Sequence, residues 1–219
     1  ETILNSNFLI KNKNKNIFIT ENKNSYLLNL ANQLKSDVIH HNNFIGGRYS
    51  ILSEVGMLPA QLMGYKPENF RRFNQLVSNK QFMNTLVNNV SSIFDLISKK
   101  KTNSIILNYD DKSNDFFHWY QQLVAESLGK KGKGIMPIIS VMPKDNHSLM
   151  QYYLDGKRNN FFTLFFVKEN KSKRVKKNDL MRSHNYLFNK TIIEILFSQF
   201  NATEKVFRKS KSFKTRTRF

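Results

Sequence analysis

The chain has 219 residues, enough for one large domain or two small ones. It carries 35 lysines and arginines against 16 acidic residues, a formal charge of +19, and no cysteine. That composition excludes a disulfide framework and a thiolate metal site, and no apolar run reaches the roughly 18 residues that suggest a membrane-spanning helix.

In chain order, "NIFIT" (Asn16–Thr20) is short, apolar and β-branched, and predicts a strand. "SYLLNLANQLK" (Ser25–Lys35) has apolar residues at helical spacing, and "DVIHH" (Asp37–His41) predicts the next strand. A helix is expected from Tyr49 to Met63, kinked or broken at Pro59. Lys66–Lys100 predicts one or two helices, and "SIILNY" (Ser104–Tyr109) a buried strand. "FFHWYQQLVAESLG" (Phe116–Gly129) predicts a helix stopped by a glycine, with the left-handed cap that glycine favours. "GIMPIISV" (Gly134–Val141) predicts a strand, and Pro137 makes it an edge or an irregular one. A short helix over Ser148–Gly156, a strand over Phe161–Val167 and a long helix over Ser183–Phe207 complete the pattern. Strands alternating with helices predict an α/β fold: a mostly parallel sheet flanked by helices in a three-layer, Rossmann-like sandwich.

The positive charge admits a nucleic-acid reading. Lysine and asparagine are abundant throughout, however, and the basic clusters fall in segments that read as loops or tails. Such runs are usually solvated surface. The expected partner is instead a small anion, such as a sugar phosphate, drawn by the positive field. Nucleic acid and membrane are not expected partners.

Ligands of parallel α/β sheets bind beyond the carboxyl ends of the strands. "HHNNFIGGRYS" (His40–Ser50) follows a predicted strand and precedes a predicted helix. Its glycines permit close approach and unusual dihedrals. Arg48 then stands near a helix N-terminus, where anions are favoured, and Ser50 is a candidate cap. The alternative is a tight turn with a solvent-facing arginine. His40 and His41 adjoin the motif, but no spacing demands that they line a site. Glu126 lies on a mostly apolar helix, with Gln122 four residues earlier on the same face. An exposed helical glutamate is the commoner reading, and a general base the other. His147, in "VMPKDNHSLMQ", is a turn residue, a cap or a proton shuttle. No His, Asp and Glu cluster has convincing metal spacing.

Three segments together, "IGGRYSILSEVG" (Ile45–Gly56), "WYQQLVAESLGKKGKG" (Trp119–Gly134) and "DNHSLMQYYLDG" (Asp145–Gly156), resemble the glucose-6-phosphate isomerase family. The resemblance runs from Glu1 to about Phe207. It implies the sugar-isomerase fold, with residues 1–45 ending a first domain and 46–207 forming most of a second. Residues 208–219 read as a basic tail, disordered or frame-shifted.

By resemblance, the reaction moves a proton between C1 and C2 of an open-chain sugar phosphate through a cis-enediol. Glu126 would shuttle the proton, partial burial raising its basicity. Arg48 would stabilise the enediolate. His147 would assist ring opening in the neighbouring subunit's site, which implies a homodimer. Gly47 would let the backbone approach the sugar, Gln122 would meet the phosphate end, and Thr2 would neighbour the phosphate loop. No metal or organic cofactor is implied, and the location is cytoplasmic.

Two family features are absent: the S-x-[ST]-x-x-T phosphate loop and the Q-x-[GA]-V-E-x-x-K segment with its lysine. The chain also begins at Glu1 without a methionine. It therefore reads as the middle of the enzyme, and the piece alone is expected to be inactive. The alternative is a non-catalytic sugar-phosphate-binding domain of the same superfamily.

Overall fold

A computed structural model of the chain describes residues 16–169, 172–177 and 181–210. The chain divides into two units between Met83 and Asn84.

The first unit opens with strand β1 (Ile17–Glu21), helix α1 (Tyr26–Leu34) and strand β2 (Asp37–His41). The strands pair in parallel, from Ile17 opposite Asp37 to Glu21 opposite His41. Ser25 caps α1 by accepting from the Leu28 amide, 3.3 Å away. Lys35 closes the helix in the left-handed conformation, and Ala31 is fully buried. A 3-10 segment (Gly47–Leu52) follows β2, and α2 (Glu54–Leu62) continues from it with Pro59 inside. The helix expected from Tyr49 to Met63 is thus two pieces, with Ser53 extended between them. Two single-turn helices come next, α3 (Pro67–Arg71) and α4 (Asn74–Ser78). The long helix α5 (Lys80–Ser98) crosses the division.

The second unit carries three parallel strands: β3 (Asn103–Asn108), β4 (Met136–Val141) and β5 (Asn160–Phe165), in the order β4-β3-β5. The burial of β3 on both faces follows from its central place. Among the described residues β4 pairs only with β3, which gives Pro137 the edge position that a residue without an amide hydrogen requires. Between β3 and β4 runs α6 (Asn114–Leu128). After β4 come α7 (Asp145–Ser148) and α8 (Met150–Asp155), and α9 (Ile192–Lys209) follows β5.

Strand alternation sorts the side chains into two faces. On one, Ile105, Leu107, Ile138, Phe162 and Leu164 pack with Tyr153 of α8 and Phe207 of α9. On the other, Phe117 of α6 meets Phe165 edge-on, centroids 4.8 Å apart. The result is helix, sheet and helix in three layers, as the alternation predicts.

Four local expectations are corrected. Gly129 ends α6 at φ −74°, outside the left-handed region. Its role is space, since a Cβ there would lie 2.5 Å from the Ala125 carbonyl oxygen. Lys66–Lys100 is three helices rather than one or two. Ser183–Phe207 is a 3-10 segment (Arg182–Leu187) and then α9, which carries on through Arg208 and Lys209. Ser50 does not cap: it is buried and donates to the Gly47 carbonyl at 2.6 Å. Among the described residues no helix is long and apolar enough to cross a membrane.

Candidate active site

The Gly-Gly-Arg turn follows the carboxyl end of β2. Asn42 organises its entry: its side chain accepts from the Phe44 amide at 2.9 Å, and its carbonyl accepts from the Ile45 amide at 3.1 Å. The Tyr49 amide then donates to the Gly46 carbonyl, 2.9 Å, and starts the 3-10 segment. Neither Gly46 nor Gly47 has a positive φ. Unusual dihedrals therefore do not account for these glycines, and a Cβ on Gly47 would meet nothing within 4 Å, which leaves its backbone open to approach. The half-buried Arg48 guanidinium lies over the Tyr49 ring, 4.8 Å from its centroid, a cation–π contact that helps to orient it.

His41, the last residue of β2, faces this turn. Its Nδ1 lies 3.1 Å from Glu54 Oε2 and its Nε2 lies 3.0 Å from the Ile45 carbonyl oxygen. The Glu54 hydrogen bond, then the Ile45 one, hold the imidazole pKa above its ordinary value. Glu54 is held below the carboxylate range, first by its own backbone amide and then by His41. Spacing gave no signal for this pair.

In the second unit, Gln122 donates to Glu126 from Nε2 at 3.4 Å, the i,i+4 contact the sequence predicts. Both side chains are exposed. The partial burial expected of Glu126 is therefore not found among the described residues. The reason is its place: α6 buries Phe117 under the sheet, while residues 122 and 126 lie on its outer side.

His147 is exposed on α7. Asp145 builds its turn. One carboxylate oxygen accepts from the Val141 amide at 2.8 Å and the Ser140 hydroxyl at 3.1 Å, and the other accepts from Ser148 at 3.2 Å. Sequence reading missed Asp145. Its signal was a carboxylate four residues beyond a strand end, at a helix start.

Glu126 and His147 do not come together. The helix α6 starts beyond the carboxyl end of β3 and runs back along the sheet, and Gln121 donates to the Pro137 carbonyl at the start of β4, 2.6 Å. Glu126 lies a further turn along, beyond the amino ends of the strands. His147 lies past the carboxyl end of β4. A six-residue strand is about 20 Å long, so one copy of this unit cannot place both groups on one small molecule. Thr2 lies outside the described residues.

Parallel strands joined by helices, with a glycine–arginine turn at a strand's carboxyl end, define a class of α/β ligand-binding proteins. Residues 6–140 match the phosphoglucose isomerase family. The chain belongs to that family. It is 33% identical over 164 residues to a glucose-6-phosphate isomerase of Methanocaldococcus jannaschii, covering 72% of this chain and 40% of that one. To the Staphylococcus haemolyticus glucose-6-phosphate isomerase it is 33% identical over 199 residues, 86% of this chain and 44% of the relative. The chain thus spans less than half the length of these curated relatives. A hypothetical protein from Thermus thermophilus shares the fold, with a TM-score of 0.75 over 89% of this chain and 49% of its own, at 21% identity. The family match contains Gly47, Arg48, Gln122 and Glu126, while Thr2 and His147 fall outside it.

Proposed function

We propose that the chain is part of an aldose–ketose isomerase that interconverts glucose 6-phosphate and fructose 6-phosphate, a cytoplasmic step of glycolysis and gluconeogenesis. The observation that carries this reading is the family match over the segment holding Gly47, Arg48, Gln122 and Glu126. With the sugar open, the Glu126 carboxylate takes the proton from C2 of the aldose as the enediol forms, and returns it to C1 to give the ketose. Arg48, a permanent cation, offsets the charge that develops on the enediolate oxygen. The open space at Gly47 supports a backbone approach to the sugar. Gln122 contacts the phosphate end, and His147 moves the proton of ring opening.

The test is Glu126→Gln in the full-length protein, assayed for isomerisation in both directions. Turnover should fall roughly 10²–10⁴-fold, the usual contribution of a positioned acid–base group, with sugar-phosphate binding retained. Undiminished turnover would remove Glu126 from the role of base. Retained binding in a wild type that shows no turnover would favour a sugar-phosphate-binding domain.

A further inference from the structure

The five residues between β2 and the 3-10 segment form a loop on which Arg48 depends, and Phe44 within it is 97% exposed. Little packing holds such a loop. One side chain ties its far end down. His41, with a side chain only 10% exposed, reaches Ile45 at the entry to the glycines and Glu54 at the first turn of α2.

The chemistry of these two partners decides the state of the ring. A carbonyl oxygen only accepts, so Nε2 must donate to Ile45. An ionised carboxylate also only accepts, so Nδ1 must donate to Glu54. Both bonds exist together only in the imidazolium. We propose that His41 is a positioning residue for the Gly46-Gly47-Arg48 turn: protonated on both ring nitrogens, it clasps the Ile45 carbonyl to the Glu54 carboxylate. That Arg48 then meets a sugar phosphate rests on the isomerase reading above. The clasp itself does not.

The charges around the ring agree. Glu54 faces it from α2. Glu21, its register partner on β1, adds a second favourable charge, although Lys23 pairs with Glu21 at 3.2 Å. Because folding raises the His41 pKa, the stabilisation is complete below the ordinary histidine value of about 6.5 and is lost as pH rises through the raised value. Glu54, whose pKa is lowered, loses its share as pH falls through that lowered value. The turn is therefore held fully between the lowered Glu54 value and about 6.5, and slackens as pH rises through the raised His41 value. Arg48 keeps its charge throughout, so that slackening is a change of position and not of charge.

The experiment is a ¹⁵N NMR titration of the histidine rings in the full-length protein and in its Glu54→Gln variant, with amide exchange read at Tyr49. His41 should carry protons on both nitrogens at pH 6 and titrate above the ordinary histidine value of about 6.5. Glu54→Gln should lower its midpoint and speed Tyr49 exchange, relative to intrinsic rates, on the order of tenfold. A neutral His41 with one tautomer at pH 6, or unchanged exchange at Tyr49 in Glu54→Gln, overturns the clasp. Fructose 6-phosphate, added last, separates the two readings. Shifts at the Gly47 and Arg48 amides that need more ligand in Glu54→Gln support both. An ordinary His41 titration beside such shifts sinks the clasp alone. A wild-type turn that ignores fructose 6-phosphate while His41 titrates as stated leaves the clasp standing and counts against the isomerase reading of the turn.

Discussion

Gly56 shows how closely the Gly-Gly-Arg segment is drawn together. It lies in the first turn of α2, where a Cβ would stand 2.0 Å from the Ile51 carbonyl oxygen, a backbone atom that no rotamer change can move. Gly56→Ala must therefore shift the 3-10 segment that carries Arg48. We expect it to lower stability by about 1–3 kcal/mol, as overpacking usually does, read as a lower urea midpoint. A midpoint equal to wild type would mean that the two pieces are not held this close. This position was legible only as part of a motif, because a glycine in sequence does not say whether it supplies a dihedral or a space. Gly46 and Gly47 were read for close approach and for dihedrals; neither takes a positive φ, and a Cβ at either would meet no clash. His41 and Glu54 were less legible still. They are thirteen positions apart, and only the return of the chain through the turn makes them neighbours.

Among elements, the strands were the clearest in sequence, because β-branched and aromatic runs bounded by polar stretches have few other readings. Asp37–His41 is matched residue for residue, and β3 and β5 start one residue early. Helix ends were less clear. The apolar period over Ser183–Phe207 concealed a break at Asn189, which takes φ +61° and leads to an extended Thr191. The signal lay in "TIIE". Thr191 Oγ1 accepts from the Glu194 amide at 3.2 Å, and the Glu194 carboxylate accepts from the Thr191 amide at 2.7 Å, a capping box. The Thr191 amide, then the Thr191 hydroxyl, hold the Glu194 pKa below the ordinary value. The box is thus intact at neutral pH and fails as acid protonates Glu194. The helix it starts buries Phe207 and offers Thr203 to the Tyr109 hydroxyl at 2.7 Å, so a frayed α9 loosens the core. Thr191→Ala should destabilise the second unit by about 1 kcal/mol, and Thr191→Ser should restore most of it. Equal urea midpoints for Thr191→Ala and wild type would show that α9 is held by its packing alone.

At the scale of the whole molecule, the order of α6, β4 and α7 along one chain argues for a partner. Antiparallel passage of α6 carries Glu126 to the amino ends of the strands, while β4 delivers His147 to the opposite end. If both act on one sugar phosphate, as the isomerase reading requires, they must come from different copies. In sequence this rests on the family resemblance alone, because by itself each is only a polar residue on a helix. The direction of α6 against β4 adds a physical argument for it. The idea can be tested by mixing two inactive full-length variants, Glu126→Gln and His147→Ala, after unfolding and joint refolding. A mixed dimer would then hold one site with both defects and one with neither. Random pairing puts half of the dimers in that class, so about a quarter of wild-type activity should return. If Glu126 and His147 serve the same site from one chain, every site in every dimer keeps a defect, and the mixture stays as inactive as its parts. A mixture that stays inactive although it sediments as dimers would therefore overturn the argument for a partner, and a His147→Ala variant that is itself fully active would return His147 to the role of a turn residue built by Asp145.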